Sequence, residues 1–258
     1  MTPMTPLIAD IRFPFSLMNA AGALSTTRAE LLAHARSESG AVVTKSITPT
    51  SFLDPGAQCG LENPGTDYYV EVIPELRQWD KPVIASVAGL TIEEFVQVAQ
   101  TLTQAGADLI EINLNDPHVH THVHPFQSVE RLDEVVSALC RQIAAPLAIK
   151  LPATVPLILS DVVHTLVRND IPVVMCHNTG TNGDPSQAQA VLEAAAEKLD
   201  VIGVGGVSTG AQALAILQQG VKAIQIGSAV VKEGVGVFAR LKHELGELIG
   251  TDTTKLAS

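Results

Sequence analysis

The sequence predicts a single α/β domain folded as a closed (β/α)8 TIM barrel, and three observations predict it. Short apolar runs alternate with helical segments along most of the chain, and eight such runs can be counted from Phe15 onward. Polar or cationic residues recur where those runs end, at Lys45, Asn113, Lys150 and Asn178. The last two runs close on glycine turns, Gly203-Val204-Gly205-Gly206 and Ile226-Gly227-Ser228. An open doubly wound sheet has the same local signals, so the count of eight is what favours closure.

Taken in order, a first strand is expected over residues 15–19, closing on Ala20-Ala21-Gly22, and a threonine-capped helix over 27–36. A second strand over 41–46 leads into a polar, glycine-rich loop over 49–67 and a short helix over 68–79 interrupted by Pro74. From there the alternation is regular. Strands are expected over 83–87, 108–114, 147–151, 172–177, 201–204 and 223–226. Helices follow them over 91–104, 129–143, 158–168, 186–198, 209–218 and 229–248. Strands that are apolar throughout imply a parallel sheet covered on its outer face. With no linker or low-complexity segment, one domain spans residues 1–258.

Composition bounds the function. At 258 residues and 46% hydrophobic, the chain has ample material for one core, and 3% aromatic content makes that core Val, Ile, Leu and Ala. A net charge of −11 argues against nucleic acid or an anionic membrane as partner, since both would repel it. Cys59, Cys140 and Cys176 are odd in number and widely spaced, as expected of reduced thiols in a cytoplasmic protein. The opening MTPMTPLIAD has no secretory pattern, and no run approaches the roughly 18 apolar residues of a membrane span.

The stretch over 110–125, I-E-I-N-L-N-D-P-H-V-H-T-H-V-H-P, reads as a strand that delivers an amide, a carboxylate and imidazoles at its C-terminal end. In a barrel that end carries the catalytic loops. His118, His120, His122 and His124 alternate, so they suit a metal cluster, a polar lid, or a single catalytic histidine at His118. His34, His164 and His243 fall in helical segments and are expected at the surface. Lys45 and Lys150 end apolar strands and point to the mouth, as fixed cations or, if desolvated, as nucleophiles. Rim lysines that merely snorkel would look the same. Asn113, Asn178 and the Asn19-Ala20-Ala21-Gly22 turn could meet the edge of a planar heterocycle, although asparagine also caps loops routinely. Glycines after the seventh and eighth strands let backbone N–H groups converge on a phosphate, which points to a phosphorylated ligand.

Several stretches carry a family likeness: L-M-N-A-A-G at 17–22, G-A-V-V-T-K-S at 40–46, G-L-E-N-P-G-T-D-Y-Y at 60–69 and S-V-A-G at 86–89. E-I-N-L at 111–114, A-I-K-L-P at 148–152, I-G-V-G-G-V-S-T-G at 202–210 and I-Q-I-G-S-A-V-V-K-E-G at 224–234 continue it. In their order and spacing the chain resembles the class 1 dihydroorotate dehydrogenases, FMN-dependent barrel enzymes of pyrimidine (UMP) synthesis. The resemblance implies a homodimer with Ala20, Ala21 and Gly22 under the flavin ring, and Lys45 and Ser46 against flavin and substrate. Lys150 would lie beside the flavin N1–C2 carbonyl, and Gly205, Gly206, Gly227 and Ser228 would hold the phosphate. Asn113, Asn178 and Thr179 would sit in the substrate and flavin pocket.

The chain also departs from that pattern. The family's N-L-S-C-P-N, whose cysteine is the general base, reads Asn113-Leu114-Asn115-Asp116-Pro117-His118 here. The base would therefore be Asp116, with His118 in place of a pyrimidine-binding asparagine and able to share the proton. A second family asparagine falls at Ala57, and the segment after Asn178 is shortened. The expected activity is oxidation of dihydroorotate to orotate, a CH–CH oxidation with Asp116, His118 and Lys45 as the catalytic group. The alternatives are an FMN-binding relative acting on another small planar substrate or lacking turnover, and a flavin-free barrel lyase with a Schiff-base lysine.

Overall fold

The computed structural model describes residues 4–52, 62–114, 123–178 and 186–255. The chain enters through an antiparallel hairpin of β1 (Leu7–Ile8) and β2 (Ile11–Arg12). Ala9 and Asp10 between them have φ of 47° and 62°, the left-handed pair that matches a two-residue turn to the twist of its strands. Ile8 and Phe13 are fully buried and join Met18, Ile84, Leu109 and Val173 in the interior cluster. Ala9 N–H donates to Asp200 at 2.8 Å, and Lys222 donates to Leu7 O at 3.1 Å, so the hairpin sits on the N-terminal ends of the strands.

Eight parallel strands then form one sheet. They are β3 (Leu17–Asn19), β4 (Val42–Val43), β5 (Val83–Val87), β6 (Leu109–Asn113), β7 (Leu147–Lys150), β8 (Val173–His177), β9 (Asp200–Val204) and β10 (Ala223–Ile226). Their spatial order is β3-β10-β9-β8-β7-β6-β5-β4, a nearly closed barrel with the expected eight members. The seam lies between β3 and β4. There Gly40 N–H donates to Leu17 O at 2.7 Å, and the Asn19 amide pairs with both backbone groups of Val43. Glycine is required at position 40, since a Cβ would come within 1.8 Å of Phe15 O.

Helices cover the outside: α1 (Arg28–Arg36), α2 (Thr66–Leu76), α3 (Ile92–Ala105), α4 (Val129–Gln142), α5 (Leu159–Arg168), α6 (Gln187–Ala195) and α7 (Gly210–Gln218). Thr27, Thr91, Ser128, Ser186 and Thr209 each cap a helix N-terminus by accepting a backbone N–H, the first of them the threonine cap expected from sequence. Pro74 lies in the last turn of α2, and the helix ends two residues later. The single helix expected after β10 is broken. α8 (Ser228–Glu233) stops at Gly234, whose φ is 71°, and a 3₁₀ turn leads into α9 (Val237–Lys255). One apolar cluster fills the space between sheet and helices and a second fills the barrel interior. Among the described residues no helix is long and apolar enough to cross a membrane.

Candidate active site

The two-residue period of a strand decides what faces the barrel interior. On β6 it turns Leu109, Glu111 and Asn113 inward, and on β7 Ala148 and Lys150. Ser86 lies opposite Glu111 in register, Asn113 opposite Lys150, and Lys150 opposite Met175. These partners build a polar layer just below the C-terminal rim. Its centre is Glu111, which is fully buried. Glu111 Oε1 accepts from Ser86 Oγ at 2.9 Å and from Lys150 Nζ at 3.0 Å, while Oε2 accepts from Gln225 Nε2 at 2.7 Å. A buried carboxylate needs such company, because an unpaired one would lose its hydration with nothing in return. Lys150 is only 15% exposed and its ammonium is engaged in this ion pair, an arrangement that suits a fixed cation.

Lys45 and Ser46 reach the same rim through a bulge. Thr44 N–H donates to Ile84 O and Ile47 N–H to Ser86 O, so three steps along one strand face two along the other. Thr44 Oγ1 accepts the Ser86 N–H at 3.0 Å, standing in for the missing backbone acceptor. The expected strand over 41–46 therefore leaves the ladder early, and the bulge re-aims the two side chains. Ser46 Oγ meets Ser86 Oγ at 3.1 Å and accepts from Asn113 Nδ2 at 3.1 Å. Lys45 Nζ lies beside Gly22, where a Cβ would stand 3.2 Å from it and where φ is +89°.

The remaining expected residues fall as follows. Ala20 is buried, its N–H donates to Ile226 O at 2.9 Å, and its Cβ lies 3.9 Å from where a Cβ on Gly227 would be. Ala21 is half-buried beside it. Gly205 and Gly206 both have φ of 75°, and Gly205 N–H donates to Gln225 O at 2.9 Å, continuing the sheet. Gly227 is half-buried and Ser228, exposed, opens α8. Asn178 turns toward the wall: Nδ2 donates to Gly205 O at 2.7 Å, and Oδ1 is buried against Gly203, where a Cβ would lie 1.8 Å away. The Asn19 amide is taken up by Val43 rather than by a heterocycle. Ala57, Cys59, Asp116, His118, His120, His122 and Thr179 lie outside the described residues. His124 is exposed with φ of 42°. His164 and His243 are at the surface as expected, whereas His34 is fully buried.

Four members of the polar layer were not assigned a role from sequence. Glu111 could have been found from its period, since it shares the inward face of β6 with Asn113, whereas Ser86 and Gln225 share theirs with the apolar Ile84 and Ala223. His177 is the fourth, at the end of β8 on the same inward face as Met175 and half-buried. Burial and then the nearby Lys150 charge hold its imidazole pKa below the ordinary value, keeping it neutral. Among the described residues, no group of three or more His, Cys, Asp or Glu side chains is placed to hold a metal ion.

Comparison with known proteins gives the family. The dihydroorotate dehydrogenase family model matches residues 4–196 and 186–249. A Streptococcus agalactiae protein provisionally named dihydroorotate dehydrogenase A (fumarate) is 32% identical, over 94% of this chain and 92% of its own. The catalytic subunit of dihydroorotate dehydrogenase B (NAD(+)) from Thermoplasma acidophilum is 28% identical, over 95% and 93%. Dihydroorotate dehydrogenase (fumarate) from Trypanosoma brucei brucei is 28% identical, over 92% and 90%. In fold, the ligand-free DHODH of Eimeria tenella superimposes with a TM-score of 0.80 at 14% identity, covering 96% of this chain and 88% of that one. By its sequence along nearly its whole length, the chain belongs to the dihydroorotate dehydrogenase family.

Proposed function

We propose that the barrel mouth binds FMN and that the protein oxidises dihydroorotate to orotate, with fumarate as electron acceptor, as a cytoplasmic homodimer. The observation that carries this reading is the pairing of Lys150 and Asn113 at one level of the rim, a fixed cation beside an amide, over a wall of small residues. That wall fits a flat ring. Ala20 and Gly227 leave an open step between them, and Gly22 brings bare backbone up to Lys45. When bound, FMN supplies the hydride acceptor.

The residues present divide the work. Lys150 would hold positive charge beside a bound flavin, whose reduction adds electron density to the ring. Ala20, Ala21 and Gly22 form the floor, and the turns at Gly205, Gly206, Gly227 and Ser228 take the phosphate, with Gly205 N–H already engaged in the sheet. Lys45, Ser46, Asn113, Asn178, Thr179 and His118 bind the acid and its ring polar groups. Asp116 takes the substrate proton, and His118 shares it. Fumarate enters from the names of the Streptococcus and Trypanosoma relatives. The reading is tested by titrating purified apoprotein with FMN and following the quenching of flavin fluorescence. Saturable uptake of about one FMN per chain supports it, and absence of uptake refutes it.

A further inference from the structure

Glu111 lies at the junction of two polar arms whose directions can be read from donor and acceptor chemistry alone. A carboxylate can only accept. The Ser86 hydroxyl proton is therefore committed to Glu111 Oε1 at 2.9 Å, and Ser86 Oγ must accept from its other neighbour, Ser46 Oγ, at 3.1 Å. Ser46, having donated, accepts from Asn113 Nδ2 at 3.1 Å. The chain Asn113 to Ser46 to Ser86 to Glu111 can run only one way. On the other arm, the same Oε1 receives Lys150 Nζ at 3.0 Å, while Gln225 Nε2 anchors Oε2 at 2.7 Å. Every one of these groups except Asn113 and Lys150 is buried, and those two face the rim.

We infer that Glu111 is a positioning residue for the reaction proposed above: one carboxylate places the Lys150 ammonium and sets which way the Asn113 amide faces. Replacing it by a neutral amide removes both constraints. Glutamine could donate to Ser86, which frees the hydroxyl chain to reverse. It would also leave the lysine charge uncompensated near the ring. The inference rests on FMN occupying this mouth, so its tests are chosen to separate it from that reading.

The first test measures the flavin midpoint potential of FMN-loaded wild type, Glu111→Gln, Lys150→Met and the double variant by anaerobic dye equilibration. Glu111→Gln is expected to raise the potential, because the cation favours the anionic reduced ring once its counter-charge is gone. In the Lys150→Met background the same change is expected to shift the potential less, since the ammonium that Glu111 holds in place is gone. A fall, no shift, or an equal shift in both backgrounds overturns the inference. The second test is Ser86→Ala, which keeps the ion pair and cuts the other arm. It is expected to weaken orotate binding about 5-fold with the potential unmoved, and unchanged orotate affinity overturns that arm. A cofactor-free check is the unfolding double-mutant cycle of Glu111→Gln with Lys150→Met, expected to be strongly non-additive and contradicted by additivity. Wild type that takes up no FMN refutes the functional reading, whereas wild type that takes it up with no effect of Glu111→Gln refutes only this inference.

Discussion

Asn19 closes the barrel by acting as a piece of backbone: its Nδ2 donates to Val43 O at 2.7 Å and its Oδ1 accepts the Val43 N–H at 3.0 Å. The amide spans the seam at the level where β3 turns into Ala20-Ala21-Gly22, so the wall of the mouth and the closure of the sheet depend on one side chain.

Asn19→Leu keeps the volume and removes the pairing. Both Val43 groups then lie buried without partners, and the cost is expected at about 2–5 kcal/mol. Denaturant unfolding at constant pH measures it. A loss well under about 1 kcal/mol would show that the seam is held by other contacts.

Gly203→Ala is expected to act on the site through Asn178. The added Cβ would stand 1.8 Å from Asn178 Oδ1 and 2.6 Å from its Cγ, so the side chain must leave its place. FMN affinity should fall by roughly 10-fold or more, on the scale of one lost polar contact and a displaced wall. Far-UV circular dichroism should stay near wild type. Unchanged affinity would remove Asn178 from the pocket.

His34 makes stability depend on pH. Its Nε2 donates toward Ala23 O and Leu24 O at 3.1 and 3.0 Å, and its Nδ1 is buried without a partner among the described residues. Burial holds its pKa below the ordinary value. Between that lowered value and the unfolded value of about 6.5, the unfolded chain binds more protons, so stability is full above about 6.5 and declines as pH falls through the window. The advantage of wild type over His34→Gln should therefore shrink between about pH 7 and about pH 5. Lys81, lowered to about 8 by burial, titrates above that range. An advantage that grows on acidification would contradict the assignment.

Asp116→Asn removes the proposed base while keeping its shape. The rate of flavin reduction by dihydroorotate should fall by about 10²–10⁴ with FMN still bound. Stopped-flow absorbance under anaerobic conditions reads it, and an unaltered rate would move the base to His118.

Eight strands, their order and the glycine turns were legible because barrel strands are short, apolar and separated by well-capped helices. Lys45 and Lys150 stood out for the same reason, as cations at the ends of apolar runs. The hairpin over 7–12 was not legible, since two-residue strands carry no period. The bulge at Lys45 depends on a threonine hydroxyl replacing a backbone acceptor, which composition does not announce. Asn19 has the residue type of a ligand-binding amide but pairs with Val43 across the seam, and Asn178 is held against Gly203 and Gly205, contacts set by neighbours distant in sequence. His34 reads as a surface helix residue until the Ala23–Leu24 carbonyls and the Phe238 ring, 6.0 Å from it, are brought over it.

The central claim, that this mouth carries a flavin reducible by dihydroorotate, is tested most directly by one anaerobic titration of the FMN-loaded protein. Added dihydroorotate should bleach the visible flavin absorbance, and fumarate should then restore it. Bound flavin that stays oxidised through a large excess of dihydroorotate would contradict the account.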